Sequence, residues 1–564
     1  MKLSDYVAQF LSSKVDTVFC VTGGCIINVI DSIARSGLPY LPMQHEQSCA
    51  FAADAYARIR GFGVALATSG PGATNLLTGV CVSYYDSIPV MYITGQVPRT
   101  HLKRETGTRQ IGFQETYVVG IFRPVTKYAV QVSDSSTIRY ELEKAFYLAN
   151  DGRKGPVLLD ICDDVQRAEI DPESLVSFIP PKKPPRPVDL APMMRLLENA
   201  ERPLFIFGAG TRKAKLAELV SEYGIPFTLT WGASDFLSHD DPLFAGGFGV
   251  SSSRSGNFAI QNADLLICMG TRLDSHETGS NYKGFAPKAQ KIIIDIDPTE
   301  QAKYKKRGLK ATLITAEAER IVEAMLTYRI RPASDAWRSA IVNWRLKYPA
   351  VTQEDREQDV CVNPYVFMER LSKASDRNAI VIADAGSSNG WMMQAFNPKE
   401  HRLIHAWNHS PMGYALPAAI GAAMASGKQI ICIAGDGAFN MNVQELATVA
   451  RHKIDIKMFV MNNHCYGMIE GTQDAWLGGR HHAASIEGGL PDVDFINVAK
   501  AYGIPALDAD LTNLEDILKT PGPVLANVDM KSQVQIAPKL LYGNSLEDLS
   551  PRLPPEELAE NMKC

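Results

Sequence analysis

The segment Gly435-Asp436-Gly437 and the later Asn463 are the residues of this sequence best suited to holding a metal ion and a phosphate. Each follows directly on an apolar run, at 430–434 and 457–461. Asp436 offers a carboxylate oxygen and Asn463 an amide oxygen, and Mg²⁺ prefers oxygen ligands. The glycines leave room for the backbone to approach a diphosphate. Taken alone, the glycine pair could equally form a plain turn, so the paired asparagine is what favours a cofactor site.

The two halves of this motif are predicted to lie at one edge of a parallel sheet. The apolar runs before Asp436 and Asn463 have the length and composition of buried strands. Between them, apolar residues at i, i+3, i+4 and i+7 are typical of a helix that packs on a sheet: Val443, Leu446, Ala447 and Ala450. A crossover helix between two parallel strands brings the ends of both strands to the same edge.

Short apolar runs alternate with helix-length amphipathic stretches, which predicts an α/β fold of three doubly wound parallel-sheet domains. Candidate strands are 17–21, 64–68, 90–93, 157–161, 204–207, 265–269, 292–296, 380–383, 430–434, 457–461 and 524–528. We predict domains at 1–170, 190–330 and 360–535, with a tail at 536–564 packed on a surface.

A proline-rich linker at 171–188 is expected between the first two domains, because proline fixes φ and removes hydrogen-bond donors. The tetrapeptide Gly155-Pro156-Val157-Leu158 recurs as Gly522-Pro523-Val524-Leu525, each time in the last strand of its region. This echo suggests that the two outer domains share one plan.

Composition narrows the functional class. The chain has 564 residues, a formal net charge of −5 and a pI near 6.2, which gives no electrostatic footprint for nucleic acid. No apolar stretch is long enough to span a membrane, and the first residues lack the pattern of a signal peptide. The ten cysteines include no CxxC pair, so no disulfide framework is expected. We therefore expect a cytoplasmic protein without nucleic-acid or membrane partners.

With its Gly-Asp-Gly and Asn-Asn motif, the chain resembles the thiamine-diphosphate-dependent enzymes, and the segment 435–448 looks most like the acetolactate synthase branch. The resemblance covers nearly the whole chain, including the segments 70–75 and 295–298. It implies an enzyme that decarboxylates pyruvate or a similar 2-oxo acid and joins the two-carbon fragment to a second carbonyl compound. It also implies thiamine diphosphate and Mg²⁺, with the metal held by Asp436, Asn463 and the backbone carbonyl of Cys465.

The same resemblance gives three side chains catalytic roles. Glu46 matches the family glutamate that hydrogen-bonds N1′ of the aminopyrimidine, and the apolar residues after it suggest a poorly solvated site. Met412 matches the bulky apolar residue under the bend of the cofactor, which presses the 4′-imino group toward C2. Gln114 matches a glutamine that faces the reaction centre. By themselves, these residues would be a helix-start carboxylate, a core methionine and a surface glutamine.

Further cofactor contacts and the assembly also follow from the resemblance. It assigns cofactor-binding positions to Gly24, Gly386, Ser387, Met412, Gly435, Gly437, Ala438, Gly467 and Met468. In the family, the counterparts of Glu46 and Asp436 at one site come from different subunits. A homodimer is then the smallest functional unit, and a homotetramer is common.

Two departures from the acetolactate synthase pattern bear on the acceptor substrate. Thr472 stands where those synthases carry a tryptophan that narrows the acceptor pocket, and the segment 384–388 lacks their Gln-His. Replacing an indole by a hydroxyl-bearing side chain removes much volume. With Phe113 and Thr472 as the expected pocket residues, we predict a larger or more polar acceptor. The start and tail of the chain look like a subgroup that transfers an acetyl unit from pyruvate to a keto-sugar nucleotide.

The middle region resembles the FAD-binding domain of acetolactate synthases, in which FAD is a structural relic. The candidate FAD contacts are Gly208, Gly210, Arg212, Arg272 and Asp295. Because a lone GxG is a weak signal, a vestigial central domain without flavin is the alternative.

Three rival functions remain open at this stage. A pyruvate oxidase-type flavin enzyme would share the fold and consume oxygen. A simple 2-oxo acid decarboxylase usually carries a paired histidine near the reaction centre, and none occurs near Gln114. The pair His481-His482 is expected in a solvated loop, from which it could reach an acceptor. A non-catalytic homologue has no need to retain Glu46, Asp436 and Asn463 together.

Overall fold

Three parallel β-sheets, each flanked by helices, form the protein in a computed structural model. The structure describes residues 1–182, 188–357, 362–530 and 535–563. Residues 183–187 of the expected linker lie outside this range. The prediction of three parallel-sheet α/β domains is confirmed. None of the helices in the described ranges has the length and apolar content needed to cross a membrane.

The N-terminal sheet has the strand order β2-β1-β3-β4-β6-β5. Its strands are β1 (Val18–Cys20), β2 (Tyr40–Pro42), β3 (Gly63–Ala67), β4 (Val90–Gln96), β5 (Tyr128–Val132) and β6 (Val157–Cys162). Its helices are α1 (Leu3–Ser12), α2 (Ile27–Ser36), α3 (Glu46–Arg60), α4 (Pro71–Asn75), α5 (Leu77–Tyr85), α6 (Val118–Phe122), α7 (Ile138–Asn150) and α8 (Asp163–Gln166).

The central sheet has five strands in the order β11-β10-β9-β7-β8. They are β7 (Pro203–Phe207), β8 (Phe227–Leu229), β9 (Leu265–Met269), β10 (Gln290–Asp295) and β11 (Thr312–Thr315). The helices of this region and of the connection after it are α9 (Ala191–Asn199), α10 (Leu216–Tyr223), α11 (Arg254–Asn262), α12 (Ser275–Thr278), α13 (Glu300–Lys306), α14 (Ala318–Met325), α15 (Asp335–Lys347) and α16 (Gln353–Glu357).

The C-terminal sheet repeats the strand order of the first, as β13-β12-β14-β15-β17-β16. Its strands are β12 (Ile380–Ala383), β13 (Arg402–Ile404), β14 (Ile430–Gly435), β15 (Lys457–Asn462), β16 (Ala506–Asp508) and β17 (Val524–Asp529). Its helices are α17 (Pro364–Ala374), α18 (Ser387–Ala395), α19 (Ala415–Ala425), α20 (Asp436–Met441), α21 (Leu446–His452), α22 (Gly467–Leu477), α23 (Phe495–Ala501) and α24 (Leu514–Lys519). The repeated tetrapeptide begins just before β6 and β17, which occupy the same place in the two sheets, so the shared plan is confirmed.

The predicted crossover helix is in fact two helices, α20 and α21, because the chain breaks at Asn442. Leu446 is buried, but Val443, Ala447 and Ala450 are only partly buried, so the expected apolar face is incomplete. The buried polar residues Glu445 and Thr448 explain the difference, since both contact Gln44 of the N-terminal domain.

The two outer domains pack on each other through α3 and α19. The contact is close, because a β-carbon at Gly421 would lie 2.1 Å from the carbonyl oxygen of Ala52. A fully buried ion network lies beside it: Arg58 contacts Asp54 and Asp86 at 2.7 Å each. Asp86 also accepts backbone N–H groups from Trp407 and Asn408, which tie the network to the C-terminal domain.

The C-terminal tail crosses from the diphosphate side of the molecule to the central domain. Ile536 is buried against α18, where a β-carbon at Gly390 would lie 2.3 Å from its side chain. The tail then forms a two-stranded ribbon, β18 (Lys539–Leu540) with β19 (Leu549–Ser550), and ends in α25 (Pro555–Asn561). Asn561 accepts a hydrogen bond from Trp344 of α15 at 3.0 Å.

Candidate active site

Asp436 and Asn463 follow neighbouring strands of the C-terminal sheet. Strands β14 and β15 pair in parallel, with Gly435 opposite Met461, so both side chains start from the same sheet edge. Burial raises the pKa of Asp436 to about 6, against hydrogen bonds from the backbone N–H groups of Gly437, His464 and Cys465. These contacts show that the two halves of the motif meet, as predicted from the spacing.

A strained turn positions the second half of the motif. His464 has a φ of 56°, in the left-handed region that few non-glycine residues adopt. Its imidazole bridges Asp492 at 2.9 Å and Asp529 at 3.2 Å, which holds the turn in place. Asn463 Nδ2 donates to Cys465 Sγ at 3.1 Å, which leaves the amide oxygen available. Within the described ranges, no hydrogen bond to the Cys465 carbonyl is recorded.

Glycines make this pocket compact. A β-carbon at Gly437 would lie 2.1 Å from the Tyr466 ring. One at Gly467 would lie 2.8 Å from Asn463 Nδ2 and 3.2 Å from Ser387 Oγ. Gly386 has a φ of 93°, and Met468 lies beside it. The first turns of α18, α20 and α22 thus converge, and helix N-termini suit a diphosphate.

These residues fit a metal–diphosphate group. A carboxylate, an amide oxygen and a free carbonyl at one sheet edge are hard oxygen donors, as Mg²⁺ requires. Within the described residues no three His, Cys, Asp or Glu side chains form a metal site. A metal here would therefore take its other ligands from phosphate and water, as the sequence suggests.

Glu46 lies at the corresponding edge of the N-terminal sheet. It is the first residue of α3, is 9% exposed, and accepts a hydrogen bond from Asn75 Nδ2 at 2.9 Å. The glycine-rich turn at 70–72 packs against it, since a β-carbon at Gly72 would lie 3.3 Å from Glu46 Oε1. Gln114 joins this group, because its backbone oxygen would lie 2.8 Å from a β-carbon at Gly70. Glu46 and Gln114 therefore pack against the same glycine-rich turn.

Two other predicted N-terminal positions are more exposed. Gly24 lies in the loop between β1 and α2, and nothing would lie within 4 Å of a β-carbon there. Phe113 is 86% exposed, which is unusual for so large an apolar side chain.

Met412 lies in a loop that Asp384 holds. The two Asp384 carboxylate oxygens accept N–H groups from Gly413 at 3.0 Å and Ala415 at 2.7 Å. Burial raises the pKa of Asp384 to about 6, and these hydrogen bonds oppose the shift. Asn442 donates to the Gly413 carbonyl at 2.7 Å and accepts from Ser48 of α3 at 3.2 Å. The loop under the expected cofactor is therefore tied to the helix that begins at Glu46.

The predicted site residues form two groups in this chain. Asp436, Asn463, Cys465 and Gly467 share one pocket with the loop at 386–387. Glu46 belongs to the N-terminal group, and within the described residues no hydrogen bond or ion pair joins it to Asp436 or Asn463.

Thr472 occupies an exposed position on α22, one turn after Met468. Its hydroxyl donates to the Met468 carbonyl at 2.9 Å, within the helix. The side chain therefore leaves open the space that an indole at this position would fill.

Sequence reasoning missed several residues of the site. Glu470 has a side chain with no solvent exposure, and its carboxylate lies beside the Cys465 thiol. His481, expected in a solvated loop, lies against α22, 3.6 Å from Glu470 and 2.6 Å from Asp474. The sequence also gives no indication that Asp384 supports the loop that contains Met412. The partners of Asp384 are about thirty residues away in sequence, so only the loop contacts identify its role.

The candidate FAD residues also meet at one sheet edge, but three of them, Gly208, Gly210 and Arg212, are already engaged. The N–H groups of Gly208 and Gly210 donate to the carbonyls of Met269 and Gly270. Arg212 pairs with the buried Asp235 at 2.9 Å. These two glycines therefore serve the close packing of two loops and offer no free donors to a phosphate.

The remaining FAD candidates are Arg272 and Asp295. Arg272 donates to the Tyr85 carbonyl at 3.0 Å. Burial raises the pKa of Asp295, and the Asp297 N–H donates to its carboxylate at 2.8 Å. A flavin nucleotide in this domain would depend on these two side chains.

Comparison with known proteins matches all three domains. The thiamine pyrophosphate enzyme family models match residues 1–117 (N-terminal TPP binding domain), 190–324 (central domain) and 384–528 (C-terminal TPP binding domain). The acetolactate synthase large subunit of Parasynechococcus marenigrum (strain WH8102) is 34% identical over 555 residues, 94% of this chain and 88% of that protein.

Two further relatives extend the similarity to algae and plants. The acetolactate synthase large subunit of Cyanidium caldarium is 32% identical, over 96% of this chain and 94% of that protein. Acetolactate synthase 1, chloroplastic, of Zea mays is 33% identical, over 95% of this chain and 86% of that protein. The chain therefore belongs to the thiamine-diphosphate-dependent enzymes and is an acetolactate synthase-like carboligase that decarboxylates pyruvate.

Proposed function

We propose that this enzyme transfers the two-carbon unit of pyruvate to a carbonyl acceptor larger than a second pyruvate, and that the acceptor is the keto group of a nucleotide sugar. The observation that carries the proposal is the small, solvent-exposed side chain of Thr472 on α22, the helix that begins beside Asn463. The resemblance of the chain's start and tail to enzymes that act on keto-sugar nucleotides supports it.

The chain's own residues have separate tasks in this reaction. Thiamine diphosphate, when bound, supplies a carbon nucleophile and an electron sink for the loss of CO₂. Glu46, oriented by Asn75, holds a proton at N1′ of the pyrimidine. Asp436, Asn463 and the Cys465 carbonyl hold Mg²⁺, and Met412 supports the cofactor from the loop that Asp384 fixes.

The pocket around the diphosphate consists of backbone and small side chains. The residues proposed to contact it are Gly386, Ser387, Gly435, Gly437, Ala438, Gly467 and Met468, with Gly24 on the pyrimidine side. Gln114 and Phe113 face the reaction centre from the N-terminal domain. The high exposure of Phe113 supports a second subunit at this face, as in the homodimers of the family.

Replacing Glu46 by the uncharged glutamine tests whether Glu46 holds a proton at N1′ of the pyrimidine. Glu46→Gln keeps the size of the side chain but removes its acidic proton, so we expect CO₂ release from pyruvate to fall by about a hundredfold or more. Thiamine diphosphate binding, measured by isothermal titration, should persist. Glu105→Gln, at an exposed position, is the matched control. A Glu46→Gln enzyme with wild-type turnover would refute the assignment.

Product analysis tests the acceptor. With pyruvate alone, the wild-type enzyme should form acetolactate slowly, and a keto-sugar nucleotide should accept the acetyl unit efficiently. Rapid acetolactate formation would contradict the larger acceptor. Acetaldehyde release without ligation would indicate a simple decarboxylase, and oxygen consumption with pyruvate would indicate an oxidase. Flavin absorbance of the purified protein would answer whether Arg272 and Asp295 hold FAD.

A further inference from the structure

A cleft of about 440 Å³ lies between α22 and the C-terminal tail. The helix contributes small and acidic residues to its wall. The tail contributes the apolar side chains of Ile536, Ala537 and Pro551 beside amide, ammonium and hydroxyl groups. The lining includes Gly471, Asp474, Ala475, Gln535, Lys539 and Ser550.

The cleft adjoins the cofactor pocket. Gly467, Gly471 and Ala475 are spaced by four residues, so they share one face of α22. Gly467 touches the pocket beside Asn463, and Gly471 begins the cleft one helical turn later, about 5.4 Å along the axis. A molecule reacting in the pocket could therefore extend its far end into the cleft.

Gly471 is small because the tail approaches it closely. A β-carbon there would lie 2.3 Å from Gln535 Oε1 and 3.0 Å from Lys539 Nζ. The flexible polar side chains of Gln535 and Lys539 thus both approach α22 at Gly471. The Lys539 ammonium makes no hydrogen bond or ion pair with the described part of the chain.

The facing acid is held in position. Asp474 Oδ1 accepts from His481 Nε2 at 2.6 Å, while Oδ2 has no recorded partner among the described residues. The cleft therefore contains one ammonium, that of Lys539, and one carboxylate, that of Asp474, and the buried Glu470 carboxylate lies one turn earlier on the same helix. This balance of charge suits a neutral ligand with many hydroxyls better than a polyanion.

Two exposed aromatic rings belong to the same helix and tail that form the cleft. Trp476 follows Ala475 on α22 and is 68% exposed, and Tyr542 of the tail is 80% exposed. Their ring centroids are 6.3 Å apart in an edge-to-face arrangement. Large aromatic surfaces left in water beside hydrogen-bonding groups are typical of binding sites for amphipathic rings.

We propose that the cleft binds a pyranose ring of the acceptor, with Lys539 and Gln535 donating to ring hydroxyls, Asp474 accepting from them, and Trp476 covering one face. The proposal rests on the proposed carboligase function and specifies where the non-reacting part of the acceptor is held. Binding energy from such a remote part can be used to orient the reacting carbonyl.

Direct binding is the first test. Saturation-transfer difference NMR with methyl glucopyranoside and the cofactor-loaded enzyme should show saturated ring protons. Lys539→Met and Trp476→Ala should each weaken this signal severalfold, and Lys500→Met, at an exposed position on α23, should leave it unchanged. Absence of the signal in the wild-type enzyme would overturn the proposal.

Acceptor competition is the second test. The wild-type enzyme is given pyruvate with either acetaldehyde or a methyl pyranosid-4-ulose, a ring sugar with a fixed keto group. In Lys539→Met, the kcat/KM ratio of keto-pyranoside to acetaldehyde should fall about tenfold or more, as for the loss of one hydrogen bond to a charged group. Gln535→Ala provides a second variant if Lys539→Met does not fold.

The outcomes of the second test separate the two proposals. An unchanged ratio, or equal losses for both acceptors, would overturn the sugar cleft. A wild-type enzyme that uses acetaldehyde but never the keto-pyranoside would also overturn the sugar cleft. The carboligase activity itself would then still be supported. An enzyme that releases no CO₂ from pyruvate would instead refute the proposed function itself.

Discussion

At the scale of single residues, the candidate pocket depends on its glycines, which have no side chain, as much as on its polar side chains. Gly437 and Gly467 each face a neighbour where a β-carbon would lie, and the neighbour of Gly437 is a tyrosine ring at 2.1 Å. Backbone amides can approach a diphosphate only where no β-carbon intervenes. The packing of these turns and the binding of the cofactor therefore require the same residue type.

Gly437→Ala should weaken cofactor binding. The new methyl group must displace the Tyr466 ring, which shifts the first turn of α20 and the Asp436 carboxylate with it. We expect the Kd for thiamine diphosphate with Mg²⁺ to rise about tenfold or more, a cost of about 1–3 kcal/mol for overpacking. Isothermal titration measures it.

Gly427→Ala is the matched control, because nothing lies within 4 Å of a β-carbon at that position. Equal cofactor affinity in the two variants would contradict the tight-packing argument.

The sequence predicts well that Asp436 and Asn463 lie close together, and it predicts poorly which residues support the site. Asp436 and Asn463 stand out because each directly follows a buried strand, and the strand pairing then determines their proximity. Glu470 carries no such signal. Asp384 does directly follow a buried strand, β12, but it supports a loop and is not a ligand, and that role has no sequence signal. Asp384 acts through two N–H groups about thirty residues away in the chain, at Gly413 and Ala415, and no local pattern encodes that contact.

At the scale of elements, the contact between α3 and α19 positions two parts of the candidate site. These are the start of α3, with Glu46, and the loop before α19, with Met412. Tyr414, at the start of α19, is fully buried and donates to Asp54 of α3 at 2.8 Å. Asp54 also contacts Arg58, which is itself shared with Asp86. Buried charges of this kind are tolerated only while every partner is present.

Tyr414→Phe should destabilise the protein. The variant keeps the ring but leaves the buried Asp54 carboxylate one donor short, at a cost of about 1–3 kcal/mol. The midpoint of urea unfolding should fall accordingly. Tyr502→Phe, on a surface-exposed ring without a described hydroxyl partner, should leave the midpoint unchanged. A Tyr414→Phe protein as stable as the wild type would mean that the hydroxyl adds nothing to the network.

The strands illustrate what a single sequence reveals. Continuous apolar runs predict the interior strands correctly, as at β14, whose residues 430–434 are all buried. The strands that the apolar runs did not predict, among them β2 and β16, all lie at sheet edges. An edge strand such as β16 is short and half exposed, so its residues lack the hydrophobic signal.

At the scale of the whole molecule, the expected sharing of each site between two subunits can be tested by complementation. Glu46→Gln and Asp436→Ala subunits, each nearly inactive alone, are coexpressed with different tags. Random pairing makes half of the dimers mixed, and one of the two sites in each mixed dimer is intact. About a quarter of the wild-type activity should therefore return.

Activity that stays at the level of the separate variants would contradict this assembly, because Glu46 and Asp436 of one chain would then serve the same site. A coexpressed pair of wild-type subunits with the same tags provides the reference value.

Buried histidines make stability depend on pH. Burial lowers the pKa of His401 to about 4, so the folded chain keeps it neutral while the unfolded chain takes up a proton below about pH 6.5. Its contribution is present at neutral pH and lost as the pH falls toward 4. The decrease in melting midpoint between about pH 7 and about pH 5 should be smaller in His401→Gln than in the wild type.

Scans at one fixed heating rate measure this difference, since a chain of this size can unfold irreversibly. His452→Gln, at an exposed position, controls for the loss of an imidazole. An identical decrease in His401→Gln and the wild type would refute the role of His401.

The outer sheets have one strand order, and the helix after the second strand of each, α3 and α19, meets its counterpart at the domain contact. Two identical folds joined through the same element are related like the halves of an isologous dimer. Duplication and fusion of an ancestral homodimeric domain would produce this arrangement. In the present chain the two copies differ at this sheet edge, which carries Glu46 in one copy and Asp436 with Asn463 in the other.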